Sequence, residues 1–581
     1  MNDAEISAAA TLLPIAEVAR GAGIPEDALI PYGRHMAKVD PAAVPATGRA
    51  PGRVVLVTGI SPTPAGEGKS TVTVGLVDGL NLLAAEDGAP AWWRGRTAMG
   101  ALREPSLGPV FGMKGGATGG GHAQVVPMEE INLHFTGDFH AITAAHNLLC
   151  ALVDNHLHHG NALGLDPRTI ALKRCLDTND RALRQTVIGL GGRSQGVPRE
   201  DGFEITVATE TMAVFCLSRD LRDLKERLSR IIIGRTHDRH PVTVGQLGPH
   251  GAQGAMAVLL KDALRPNLVQ TLGGSAVLVH GGPFANIAHG ANSIIATNTA
   301  RSLADLVVTE AGFGADLGGQ KFMDITSVAG GFPPAAAVVV ATVRALKMNG
   351  GMSLAEVTAG ASAGDAPRHL DALGAGVANL ERHVQNMAGY GVPVVVAVNR
   401  FPQDTEEELD RLTGWCAGAG VRVAVAEVWA RGGAGALELA RQVTEAVAAH
   451  GAADGAAGWT PLWRADMTVE ERIDAVVRRI YRGSRVEYTP TARRQLHQLT
   501  EEGWGHLPVC MAKTQYSFTD DPSVLGAPVG FPITVRELVV RPGAGFIVAL
   551  TGTMMTMPGL PQAPAADAMD VDRHGRVTGL F

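Results

Sequence analysis

The stretch from residue 54 to residue 85 constrains this chain more than any other. VVLVT at 54–58 is a short β-branched apolar run, the pattern of a strand buried on both faces. GISPTPAGEG follows at 59–68, and over 70–85 the apolar residues Val72, Leu76, Leu80 and Leu83 recur at helical spacing. Strand, glycine-bearing loop and helix are the setting of a phosphate-binding loop, G-x-x-x-x-G-K-[ST]. Gly68, Lys69 and Ser70 supply its end, while Thr63 stands at the place of the first glycine. In such a loop, backbone N–H groups and the helix N-terminus surround the phosphates. Gly66 and Gly68 permit close approach, Lys69 reaches the β and γ phosphates, and the Ser70 hydroxyl takes Mg²⁺ with Thr71 beside it. Thr63, Pro64, Ala65 and Glu67 complete the expected ATP-binding set; Thr63 and Pro64 make a stiffer start than glycine. A glycine turn that merely caps a helix is the alternative, disfavoured by G-K-S-T at a strand–helix junction. The motif points to a nucleotide and is silent about the reaction.

The rest of the chain supplies the frame. Its 581 residues are 46% hydrophobic and 18% charged, which predicts a large buried core spread over roughly three or four domains. A net charge of -7 argues against nonspecific nucleic-acid binding, which wants a basic face. Cys150, Cys175, Cys216, Cys416 and Cys510 are scattered and form no C-x-x-C, so reduced thiols are expected. The first residues carry acids where a secretory signal needs bases, and no apolar run is long enough for a membrane span, so a cytoplasmic protein is expected. Of the 50 basic residues only nine are lysines, which flags Lys69, Lys114, Lys321, Lys347 and Lys513 as positions that arginine cannot fill.

Apolar runs at 275–280, 306–309, 335–341, 392–398 and 421–428 read as strands, and 404–417 reads as a helix between the last two. Residues 132–159 read mostly as helix, 108–121 as a glycine-rich loop, 450–459 as a linker, and the tail from 460 as helices followed by short strands. Alternating strands and helices imply an α/β protein. The expected architecture is a P-loop NTPase-like parallel sheet domain over 1–330, a second α/β domain over 331–455, and a smaller C-terminal α+β domain over 456–581.

The loop has company. LREPSLGPVFGMKGG at 102–116 runs on through ATGGGHAQVVPMEEINLHFTGDFHAI to residue 142; DTNDRALRQTVIGLGG, QGVPREDGFEITVATETMAV, TEAGFGADLGGQKF, VATVRALKMNGG, AVNRFPQDT, EVWARGGAG and AKTQYSFTDDP follow in order. Together they resemble the formate–tetrahydrofolate ligases from about residue 10 to the last. That family's loop reads T-P-x-G-E-G-K-[ST], so Thr63 matches the family form. The resemblance implies that formate, MgATP and tetrahydrofolate give 10-formyltetrahydrofolate, ADP and phosphate by way of formyl phosphate. It also implies a homotetramer; a monovalent cation is a candidate cofactor.

Formate is already an anion at neutral pH, so its attack on the γ-phosphate needs neutralised charge and alignment rather than a base. Lys69 and Arg103 are the catalytic candidates, and both are expected at the formyl phosphate. The resemblance puts Arg103 there, and its planar fork suits a pair of phosphate oxygens; the bland alternative is a surface arginine paired with Glu104. Phe401 and Trp429 each follow a strand, where ligands of α/β sheets gather. The resemblance implies that they hold the folate's pterin ring; core packing is the commoner fate of an aromatic. Lys114 and its glycines offer a second backbone cradle, and Glu310 and Asp316 are candidates for holding a cation. His134, His140, His146, His156, His158 and His159 lack a zinc-enzyme spacing and read as helix-surface or core residues.

The chain departs from the family pattern at Thr118, at His122 in place of tyrosine, and at Ser61 in place of asparagine. It also carries extra residues over 84–98, including Trp92 and Trp93, which read as a buried plug or an exposed contact. This insertion separates Lys69 from Arg103. Three other readings compete: a different P-loop protein such as a GTPase or a partitioning ATPase, the GTPase lacking its N-K-x-D because Arg400 follows Asn399; a member of the family that has become a scaffold; and a bifunctional folate enzyme, for which 581 residues leave no further segment.

Overall fold

A computed structural model describes residues 2–45, 48–113, 118–361, 364–450, 458–552 and 554–580. Twelve strands among them form one large sheet: β1 (Leu29–Tyr32), β2 (Met36–Val39), β3 (Arg53–Gly59), β4 (Ala98–Leu102), β5 (Gly119–Gly120), β6 (Ala123–Val126), β7 (Asn267–Thr271), β8 (Ala276–Val279), β9 (Leu306–Gly314), β10 (Pro334–Ala341), β11 (Val394–Asn399) and β12 (Arg422–Ala426). Their order is β1-β2-β7-β8-β4-β9-β3-β10-β11-β12, with β6 joining β7 and β5 joining β6. From β8 to β12 every neighbouring pair is parallel. The β1–β2–β7–β8 margin and the β5–β6 ribbon are antiparallel. The molecule is therefore mixed α/β with a parallel-rich sheet, and the sheet runs without a break from strands before residue 330 to strands after it.

The central strands read as unbroken apolar runs because both of their faces are covered. In β3, Val55 and Val57 point into one buried cluster and Val54 and Leu56 into another. The same alternation holds in β11, with Val395 and Ala397 on one side and Val396 and Val398 on the other. Helix α1 (Asp3–Ala9), helix α2 (Ile15–Gly21) and helix α3 (Lys69–Ala85) precede or pack on the sheet, and the Leu437–Ala449 helix joins α3 on the same face.

Three readings differ from the sequence. The expected 108–121 loop opens as the helix Leu107–Gly112 and also holds β5. The 132–159 helix is broken: Met128–Asn132 is a separate turn of helix, and the long helix Asp138–His158 starts after Gly137, whose φ of 91° only glycine adopts freely. The last strand stops at Ala426, because Glu427 turns away from the sheet, gives its N–H to Gly435 O, and opens the short helix Val428–Arg431. Most of the expected 450–459 linker lies outside the described residues. Beyond it, helices Val469–Val476 and Pro490–Glu501 accompany three small sheets among the described residues, one of them the three strands Val509–Ala512, Phe546–Leu550 and Glu537–Arg541.

Candidate active site

Because β4, β9, β3, β10, β11 and β12 are adjacent and parallel, their carboxyl ends share one edge of the sheet. Ligands of open α/β sheets bind along such an edge. Arg103 follows β4, Glu310 stands where the regular pairing of β9 with β3 ends, and the 60–68 loop follows β3. Arg344 comes just after β10, Phe401 after β11 and Trp429 after β12. The phosphate loop, Arg103, Phe401 and Trp429 therefore sit at the same edge.

The loop is closed by short local bonds. Thr63 donates from its N–H to Glu67 Oε1 at 2.7 Å and from its hydroxyl at 3.2 Å, and its carbonyl accepts from Gly66 N at 3.0 Å. A glycine at 63 would lack that hydroxyl, which accounts physically for threonine there. Gly68 caps α3 with φ 69°, and a Cβ on it would lie 2.4 Å from Asn399 Nδ2, which itself donates to Glu67 O at 3.1 Å. Glycine is required at 68 for both reasons. Burial raises the Glu67 carboxyl above its ordinary value, partly opposed by the Lys69 ammonium 3.9 Å away.

Glu310 joins the loop to the arginine. Its buried carboxylate accepts from Ser70 Oγ at 2.9 Å through one oxygen and faces Arg103 Nη2 at 3.5 Å through the other. Arg103 also lies against Gly312: a Cβ there would come within 2.8 Å of Nη1. The neighbouring Phe313 has φ 62°, a costly backbone state for an aromatic residue, in the irregular end of β9 that lies against Arg103. Beyond Arg103, Ser106 Oγ and Leu107 N donate to Asp177 at 2.6 and 2.8 Å, and burial pushes the Asp177 carboxyl up to about 6.

The 84–98 insertion does not separate Lys69 from Arg103. It connects the far end of α3 to the start of β4, at the opposite edge of the sheet. Trp93 is fully buried there and donates from its indole N–H to Leu80 O at 2.8 Å; Trp92 packs edge-on against it beneath Arg53.

The two aromatic residues follow neighbouring strands, with Asn399 opposite Ala426 in register. Among the described residues their rings make no stacking contact with each other. The Arg344 guanidinium lies 3.6 Å from the centre of the Phe401 ring and donates to Ala65 O at 3.1 Å, tying that ring to the phosphate loop. Trp429 is 46% exposed and sits on the Gly119–Gly121 turn: a Cβ on Gly121, whose φ is 57°, would fall 2.1 Å from Trp429 O. His122 gives its backbone N–H to Trp429 O at 2.8 Å, while its side chain is exposed.

Other candidates fall elsewhere. Lys114 lies outside the described residues. Asp316 is bonded to Lys513 at 2.9 Å, so it and Glu310 have different partners. Lys321, Lys347 and Lys513 are all buried; Lys321 donates to Ala285 O and Lys347 pairs with Glu408. Ser61 is buried, with its hydroxyl 3.1 Å from both His383 Nε2 and Asn379 Nδ2. His146 is buried, and burial lowers its imidazole to about 4, whereas His134, His140, His158 and His159 are exposed. Among the described residues no group of three or more His, Cys, Asp or Glu side chains is placed to hold a metal ion, and no helix is long and apolar enough to cross a membrane. Arg344 and Asn399 were missed as site residues from sequence, although both lie in motifs quoted above.

Comparison with known proteins gives the family. A sequence model described as formate--tetrahydrofolate ligase matches residues 1–581. The formate--tetrahydrofolate ligase of Renibacterium salmoninarum is 57% identical over 580 residues, covering 100% of this chain and 99% of the relative. That of an Arthrobacter species is 57% identical over 587 residues, with the same coverage. The Staphylococcus aureus protein of that name is 55% identical over 582 residues, covering 100% of both chains. With its loop, arginine and aromatic residues at one edge of the sheet and this likeness along its whole length, the chain belongs to the formate–tetrahydrofolate ligase family.

Proposed function

We propose that the chain ligates formate to tetrahydrofolate at the expense of ATP, giving 10-formyltetrahydrofolate, ADP and phosphate through formyl phosphate. The observation that carries this reading is the Ser70–Glu310–Arg103 link, which brings the phosphate loop and the arginine to one point. The loop amides, Lys69 and the α3 N-terminus hold the triphosphate. Arg103 and Lys69 bracket the transferred phosphoryl group and draw the formate oxygen into line with it. Charge is neutralised where it spreads over the phosphoryl oxygens, and no base is needed. Ser70 Oγ beside the Glu310 carboxylate is an oxygen donor set suited to Mg²⁺, which supplies further neutralisation of the phosphate charge when bound. The pterin lies between Phe401 and Trp429; Arg344 covers one face of Phe401, which leaves the other for the substrate.

The P-loop NTPase-like character of the first unit, the division into 1–330, 331–455 and 456–581, a homotetrameric assembly, a monovalent cation requirement and a cytoplasmic location belong to the same proposal. Their support is the resemblance to the family and the phosphate loop.

The test is product formation. Formation of 10-formyltetrahydrofolate is expected to require ATP, formate and tetrahydrofolate together. Lys69→Ala and Arg103→Ala are each expected to lower kcat by at least ~10³-fold. Turnover that survives in Arg103→Ala would remove the arginine from the mechanism; an absolute absence of product in the unaltered chain would remove the mechanism itself.

A further inference from the structure

The first helix meets the proposed folate platform. Asp3 is the first residue of α1, whose start is fixed by reciprocal bonds between Asn2 and Glu5. Ile6 is buried, and Ala4 packs on the cluster of Val110, Met128 and Leu580. The Asp3 carbonyl accepts from Gln124 Nε2 at 2.9 Å. With its backbone held, its carboxylate is aimed: Oδ1 accepts from Gly121 N at 2.9 Å and from the Trp429 indole N–H at 3.2 Å. Gly120 lies between these groups. A Cβ on it would come within 2.9 Å of Asp3 Oδ2 and 3.5 Å of both Trp429 Cδ1 and Thr71 Oγ1 at the head of α3.

A half-exposed tryptophan is a poor stacking surface if its ring is free to turn, because binding must then supply the lost rotamer freedom. Here the indole N–H is bonded to an anion and the ring rests on two glycines, so its plane is set before substrate arrives. We infer that Asp3 is a positioning residue: it orients Trp429 for stacking against a flat heteroaromatic substrate ring and locks the Gly120–Gly121 seat beneath it. This rests on the reading of Trp429 as part of the folate site.

The experiment compares the full chain with Asp3→Ala, Asp3→Asn and Trp429→Ala, measuring KM for tetrahydrofolate, ATP and formate separately, with thermal melting alongside. Trp429→Ala is expected to raise KM for tetrahydrofolate about tenfold. Asp3→Ala is expected to raise it about fivefold, with the ATP and formate values within about twofold of the unaltered chain. Asp3→Asn keeps an oxygen that accepts both N–H groups and is expected to recover most of the loss. Three results would overturn the inference. If Trp429→Ala leaves KM for tetrahydrofolate unchanged, the folate reading of that ring fails and Asp3 has nothing to orient. If Trp429→Ala weakens folate binding and Asp3→Ala does not, the folate reading stands and the role of Asp3 falls. If Asp3→Ala raises all three KM values together and lowers the melting point, Asp3 holds the fold and not the ring.

Discussion

The phosphate loop and the groups that face it are built in opposite ways. The loop closes on itself: Thr63 and Glu67 are four residues apart, and glycines do the turning. The groups around it are held from far away in the chain. Ser70 meets Glu310 across 240 residues, Arg344 meets Ala65 across 279, and Asp3 meets Trp429 across 426. A local bond forms whenever its segment does. A long-range one exists only when the whole sheet is assembled, so the alignment needed for phosphoryl transfer is a property of the tertiary fold and not of the loop.

The sharpest way to break that contrast is Glu310→Gln, which keeps the shape of the link and removes its charge. It is expected to lower kcat about 10²-fold while KM for tetrahydrofolate stays put, as judged by steady-state kinetics. A loss confined to KM for ATP would mean that the loop needs no outside alignment.

Asp177 tests the tie behind Arg103. Its folded carboxyl keeps a proton up to about pH 6, whereas the unfolded chain loses it near the ordinary 3.8. Between those values the folded state binds more protons than the unfolded one, so this group makes stability fall as pH rises. Asp177→Asn lacks that slope. Relative to the unaltered chain it is expected to gain about 2–3 kcal/mol as pH goes from 4 to 6, then to hold level above 6, measured by urea unfolding.

Arg344→Ala removes a contact shared by both halves. Because it frees Phe401 and the Ala65 carbonyl together, KM for tetrahydrofolate and for ATP are both expected to rise, each by about tenfold. A rise in only one would separate the halves. Thr63→Gly is the smallest change. The loop keeps the Thr63 backbone bond to Glu67 and loses the hydroxyl, so KM for ATP is expected to rise about threefold with no effect on folate.

The same contrast explains what could be read from the sequence. The β3–loop–α3 unit was legible because strand burial, glycine positions and helical period are all written within 32 residues. The parallel strands were legible because each is covered on both faces. The break at Gly137 was not, since apolar residues continue at helical spacing across it. Arg344 and Asp3 carry no local mark: their partners are settled by which strands become neighbours, and that order, β4-β9-β3-β10-β11-β12, does not follow the chain. Arg103 was legible as a residue through the resemblance, but its place depended on where the 84–98 insertion went.

That insertion has a practical meaning. Helix α3 spans 17 residues, about 25 Å, between the phosphate loop and the point where the insertion starts. Asp87 and Gly88 are exposed there, while Trp93 pins the returning chain with an indole bond to Leu80. The molecule thus offers a port for engineering: a fluorophore, an affinity handle or a grafted module joined at Gly88 would be carried by a braced elbow, a full helix away from the chemistry.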